Sequence, residues 1–184
     1  MKNLTSVSFL KSKPPEINWL AKVHIRTLVK ADLPLLEWEG EYARFRNMYK
    51  EIYRRANQGK SVLWVADLEA VGIIGQVFIQ LKTYEAELAD GENRAYLHSF
   101  RIREQYRRAG LGSQMARVLE ADLLARGFSQ ISLNVAKNNP SAVRLYQSLG
   151  YEIIGSDPGE WSYYDEKNQL QHVSEIGWRM LKNL

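Results

Sequence analysis

Residues 23–28 alternate, with Val23, Ile25 and Thr27 set against His24, Arg26 and Leu28, which is the two-residue period of a half-buried strand. Ala31-Asp32-Leu33-Pro34 reads as a helix start with Asp32 as the N-cap. Residues 42–57 predict a second helix, closed by Gly59. Residues 61–67 (Val62, Leu63, Trp64, Val65) predict a strand, followed by a turn before Ile73 and a long strand over 74–84. A polar connection at 86–93, built around Asp90-Gly91, leads to a further strand at 95–102. The first half is therefore a helix pair followed by an antiparallel meander.

The period then changes. Over 113–126, Met115, Val118, Leu119 and Leu123 fall on one helical stripe that Gly127 ends. Ile131, Leu133 and Val135 alternate as a strand. Asn139-Pro140 opens another helix, with Asn139 as N-cap and Pro140 at the first helical position, and its stripe is Ala142, Leu145, Tyr146 and Leu149 up to Gly150. Residues 151–154 and 172–180 read as closing strands around a polar, aromatic loop. Strand, helix, strand, helix, strand from 95 onward requires at least one parallel crossover. The class is mixed α/β in one domain, residues 21–184. Residues 1–20, where Lys13-Pro14-Pro15 interrupts any periodicity, form an arm or extra edge element.

Composition narrows the function classes. The 184 residues are 45% hydrophobic and 25% charged, which suits a globular domain. No run reaches the roughly 18 apolar residues that span a bilayer, and the opening Met1-Lys2-Asn3-Leu4-Thr5-Ser6 has no apolar signal core, so a cytoplasmic protein without a membrane partner is expected. Zero cysteines remove disulfides, zinc-thiolate sites and thiol nucleophiles together, and no metal is expected. Formal charge runs +6, −4, +4 and −2 over residues 1–60, 61–100, 101–155 and 156–184. That alternation is not the basic stripe of a nucleic-acid binder.

The stretch richest in chemistry is Gln105-Tyr106-Arg107-Arg108-Ala109-Gly110-Leu111-Gly112-Ser113, which joins a strand directly to an amphipathic helix. Two glycines allow a tight turn with bare N–H groups, the helix start adds its positive dipole end, and two arginines add fixed charge. Together these suit a di-anion such as a pyrophosphate. A P-loop is excluded because no lysine follows Gly112. A dinucleotide fingerprint is excluded because Met115 stands where the third small residue belongs.

Arg107-x-x-Gly110-x-Gly112 resembles the R/Q-x-x-G-x-G/A signature of the GNAT superfamily of acetyl-CoA-dependent N-acetyltransferases. The segment from Leu133 through Val135, Asn139, Ala142, Leu145, Tyr146 and Gly150 to Tyr151 is similar to a second stretch of that family, with Tyr151 in place of phenylalanine. Glu104-Gln105 stands where the family often has a proline after the preceding strand. The close match covers about residues 94–155. It implies a single-domain GNAT-like fold, with a mixed central sheet of six to seven strands flanked by about four helices.

The resemblance also implies roles. Acetyl-CoA would be the acetyl donor, with its pantetheine arm on the backbone of Phe100, Arg101 and Ile102. Its pyrophosphate would lie on Arg107, Arg108, Ala109, Gly110, Leu111, Gly112 and Ser113, and Asn139 would touch it near the pantetheine end. Tyr146 matches the general acid that protonates the leaving thiolate. His98, nine residues before Arg107, is a candidate base. Glu85, Glu87 and a water remain alternatives. Strict alternation places His98 with Tyr96, Phe100 and Ile102, so that face must border the cleft or a bulge must re-aim it.

The implied reaction is direct attack of a primary amine on the thioester, and the alternative is an idle acyl-CoA-binding or sensing module. Segments holding Glu37, Trp38, Glu39, Glu41 and Tyr42, then Tyr84, Glu85 and Glu87, then Trp161, Tyr163 and Tyr164 are expected to build the acceptor pocket. Their carboxylates and aromatics suit a cationic amine. The aromatic connection at 161–164 could wall off a pocket, which favours a small amine over a protein N-terminus or lysine. Homodimers are common in the family.

Overall fold

The structure is a computed structural model that describes residues 18–184. Of the expected N-terminal arm, residues 1–17 lie outside the described residues. Trp19 begins the packed body, edge-on to Tyr106 at 4.9 Å between ring centroids.

Nine strands and three α-helices follow: β1 (Val23–Thr27), α1 (Arg46–Asn57), β2 (Ser61–Leu68), β3 (Gly72–Gln80), β4 (Arg94–Ile102), α2 (Leu111–Ala125), β5 (Gln130–Ala136), α3 (Pro140–Ser148), β6 (Glu152–Asp157), β7 (Glu160–Tyr164), β8 (Leu170–Ser174) and β9 (Gly177–Asn183). A 3-10 segment, Lys30–Glu37, with α1 completes the expected helix pair between β1 and β2. The seven-stranded sheet runs β1-β2-β3-β4-β5-β9-β6, and β7 and β8 form a separate hairpin. Among the described residues only β4 and β5 pair in parallel, across the α2 crossover. Helices α2 and α3 cover one face through Leu111, Met115, Leu119, Leu123 and Tyr146. On the other face, α1 lays Tyr49 and Ile52 on Leu63, Val65 and Phe78. Among the described residues no helix is long and apolar enough to cross a membrane.

Two local expectations need correction. Asp32 is not the N-cap; Val29 is, and Asp32 sits in the first turn, accepting from the Val29 N–H at 2.8 Å while gripping Arg26 at 2.7 Å. The expected strand over 172–180 is two strands with a break at Glu175 and Ile176, and the preceding aromatic loop is itself β7. The hairpin pairs with itself and packs on α1, where Phe45 meets Tyr163 at 4.9 Å. Its alternation therefore reports contact with a helix and not membership of the main sheet.

Candidate functional site

The Arg107–Gly112 loop turns sharply. Arg108 has φ +60° and Gly110 φ +92°, and the left-handed Gly110 caps α2. That turn exposes the helix start. The backbone N–H groups of residues 108–113 have no hydrogen-bond acceptor among the described residues, and the first helical amide to find one is Gln114, donating to Gly110 O at 3.0 Å. Six such donors at a helix N-terminus form an anion cradle. Arg107 anchors the loop by donating from Nε to Ile102 O at 2.8 Å, and Arg108 is exposed with no ion pair among the described residues. The donor set therefore fits a pyrophosphate.

The cradle opens onto a split in the sheet. β4 pairs with β5 only from Arg94↔Gln130 to Leu97↔Leu133, and beyond that residues 98–102 pair with β3 alone. Their edge toward β5 is open, which is where an extended amide-bearing ligand could add hydrogen bonds. Phe100, Arg101 and Ile102 all lie on this open stretch.

A bulge decides where their side chains go. Phe78 opposes His98 and Gln76 opposes Arg101, so Ser99 and Phe100 together face Val77, and Ser99 takes φ +53°. The extra residue reverses the alternation. Phe100 and Ile102 pack toward the α2 face with Ala95 and Leu97, while Arg101 reaches Tyr49 on the α1 face. His98 thus shares its face with Tyr96 and Arg101, and not with Phe100 and Ile102 as strict alternation predicts. It lies parallel to Tyr96 at 5.7 Å and edge-on to Phe78 at 5.9 Å. The Gln80 amide donates to His98 Nε2 at 3.4 Å, which leaves Nδ1–H to donate to Ser99 Oγ at 3.1 Å. Burial, then the nearby Arg101 and Arg55 cations, push the imidazole down to about 4. It is neutral at pH 7.

Tyr146 projects from the buried stripe of α3 against Tyr151, with centroids 5.5 Å apart. Burial, and to a lesser degree neighbouring Tyr96, push its phenol well above the ordinary tyrosine range, so it stays protonated. Its hydroxyl donates to no group among the described residues. Asn139 caps α3 as expected, accepting from Ala142 N–H at 3.1 Å. Asn134 on β5 is a residue the sequence reading did not single out. It stands one residue past the last β4–β5 pair, and its buried Oδ1 has no partner among the described residues. The signal available in sequence was a polar residue amid the apolar alternation of β5.

The family model described as "Acetyltransferase (GNAT) family" matches residues 25–151, more than half of the chain. The chain belongs to the GNAT acetyltransferase family. Among relatives, it is 29% identical over 126 residues to GCN5-related N-acetyltransferase 6, chloroplastic, of Arabidopsis thaliana, covering 62% of this chain and 42% of that one. The chain spans about half the length of the curated relatives it matches. Among solved structures, the spermidine N-acetyltransferase of Vibrio cholerae in complex with CoA and spermine superposes with a TM-score of 0.64 at 19% identity, over 89% of this chain and 96% of that one. The ribosomal-protein-S18-alanine N-acetyltransferase of Escherichia coli superposes at 0.63 and 19% identity, over 88% and 93%. Those likenesses concern the fold. GNAT proteins use acetyl-CoA, and the open β4 edge and amide cradle of this chain fit it.

Three carboxylates of the segments expected on the acceptor side of this GNAT are paired with arginines, while Glu41 and Glu85 are exposed with no ion pair among the described residues. Glu37 pairs with Arg46 at 2.6 Å, Glu39 with Arg103 at 2.7 Å, and Glu87 with Arg179 at 2.8 Å. Arg179 also binds Asp157 at 2.6 Å. Tyr84 is fully exposed, Glu85 is exposed, and Trp38 is buried. This face also carries aromatic side chains. Tyr42, Phe45 and Tyr49 line the start of α1, and Trp161 and Tyr163 of the hairpin stack on Phe45.

Proposed function

We propose that this protein is an N-acetyltransferase that moves the acetyl group of acetyl-CoA directly to a small primary amine. The observation that carries this reading is the continuity of the unpartnered amides of residues 108–113 with the open β4 edge, which ends beside His98. Bound there, acetyl-CoA supplies an activated thioester whose carbonyl carbon accepts the amine lone pair as the C–S bond breaks. Residues 108–113 hold the pyrophosphate with Arg107 and Arg108 beside it, residues 100–102 align the pantetheine, and Asn139 closes its far side. Tyr146, held protonated by burial, gives its proton to the departing thiolate. His98 is neutral, and its Nε2 accepts from the incoming amine, or from a water that carries the surplus proton away, once the long Gln80 contact gives way. Its low basicity favours the relay over full proton capture. The hairpin stacked on Phe45 narrows the acceptor face, which supports a small amine over a peptide.

The test is CoA release from acetyl-CoA across a panel of amines, read with a thiol reagent that meets no cysteine in the protein. Release dependent on both substrates is expected, and Tyr146→Phe should lower kcat by roughly 10²-fold or more with acetyl-CoA affinity unchanged. Acetyl-CoA binding without transfer to any amine would contradict the reading.

A further inference from the structure

We infer that the amine acceptor carries an oxyanion, carboxylate or phosphate, that docks on Arg101; this rests on the acetyltransferase reading above. The bulge at Ser99 is what brings the Arg101 side chain onto the same face as His98. There the guanidinium sits over the Tyr42 ring at 4.4 Å and the Phe45 ring at 4.7 Å, and Nη1 donates to Tyr49 Oη at 2.8 Å. A guanidinium has five N–H donors. Only that one is used among the described residues, and no carboxylate lies within 4.0 Å of it.

Three nearby arginines are paired, while Arg44, over the same Phe45 ring at 4.7 Å, is exposed and donates to the Glu41 carbonyl. Arg46, Arg103 and Arg179 around the same face each hold a carboxylate. Arg55, the other cation near His98, spends Nη2 on the Lys82 carbonyl. Arg101 is therefore a partly buried fork, fixed by two aromatic faces and a phenol, with its remaining donors unspent beside the candidate reaction centre. A planar fork held in place recognises a planar or tetrahedral oxyanion far better than it recognises a neutral or cationic group. A polyamine placed here would meet the Arg101 and Arg55 cations, while Glu37, Glu39 and Glu87 are each already paired with an arginine. Glu41 is exposed and holds no ion pair among the described residues.

The experiment compares primary amines that differ only in the oxyanion: an amino acid against its carboxamide, an aminosugar against its phosphate, and a polyamine as the cationic extreme. The unmodified protein should favour the oxyanion member of at least one pair by roughly 10- to 100-fold in kcat/KM, the size of a charge-assisted hydrogen bond. Which pair shows the preference distinguishes carboxylate from phosphate. Arg101→Gln should erase that preference through the acceptor's KM, and Arg101→Lys should restore part of it. Equal or better turnover of the neutral members or the polyamine by the unmodified protein overturns the inference while leaving the acetyltransferase reading intact. Failure to acetylate any amine overturns both. The unmodified protein alone decides the matter if the variants do not fold.

Discussion

His98 illustrates how one side chain's position and its chemistry can point in different directions. The bulge places it beside the open end of the cleft, yet burial with Arg101 and Arg55 nearby lowers its pKa to about 4, so it stays uncharged in any ordinary assay. A base that weak does not capture an ammonium proton outright, and the acceptor must arrive neutral. From pH about 6 to 9, kcat/KM should therefore rise about tenfold per unit with the neutral amine fraction and level off at the amine's own pKa, with no inflection near 6.5. A limb near 6.5 that disappears in His98→Gln would show that the histidine titrates in its ordinary range and contradict this account. Tyr146 and Asn139 were legible from motif spacing, because the helix period alone fixes their place on α3. The surroundings of His98 were not. A non-glycine residue at φ +53° is imposed by pairing across β3 and β4, and no local pattern at Ser99 announces it.

At the scale of elements, the proposed preference for a small amine rests on the hairpin of β7 and β8. It is tied to α1 by Asn47, which donates to Asp165 O and to Asn168 Oδ1 at 2.9 Å, and by the Phe45, Trp161 and Tyr163 stack. Asp165 organises the turn by accepting from the Lys167 and Gln169 N–H groups, both at 2.9 Å. Its root is Gly159, at φ +67°, where a Cβ would stand 1.8 Å from the Glu175 carbonyl oxygen. Because the obstacle is backbone, Gly159→Ala cannot be relieved by a rotamer change. It should destabilise the protein by about 2 kcal/mol or more and raise the acceptor KM, with acetyl-CoA affinity preserved. Denaturant midpoints and steady-state constants check this, and unchanged values for both would remove the hairpin from the acceptor wall. The hairpin was hard to read from sequence because its strands are short and mostly exposed, and its inward residues answer to α1 instead of to a sheet neighbour.

At the scale of the whole molecule, the meander, the crossover and the glycine loop followed from periodicity and punctuation, since each is set by residues close in sequence. Two properties did not. The divergence of β4 from β5 after Leu97 and Leu133 depends on the fold as a whole. The pairing of Glu37, Glu39 and Glu87 comes from arginines 9, 64 and 92 residues away in sequence, which composition alone does not show. Both matter because the account places the donor in the split and the acceptor beside Arg101, among carboxylates of which three are already paired. The most direct test of that arrangement is to follow backbone amide resonances while CoA is titrated in. The amides of residues 108–113 and the open edge of 98–102 should shift together and saturate with one dissociation constant, while those of α1's C-terminal half stay still. Saturating shifts elsewhere, with the 108–113 amides unmoved, would contradict the account.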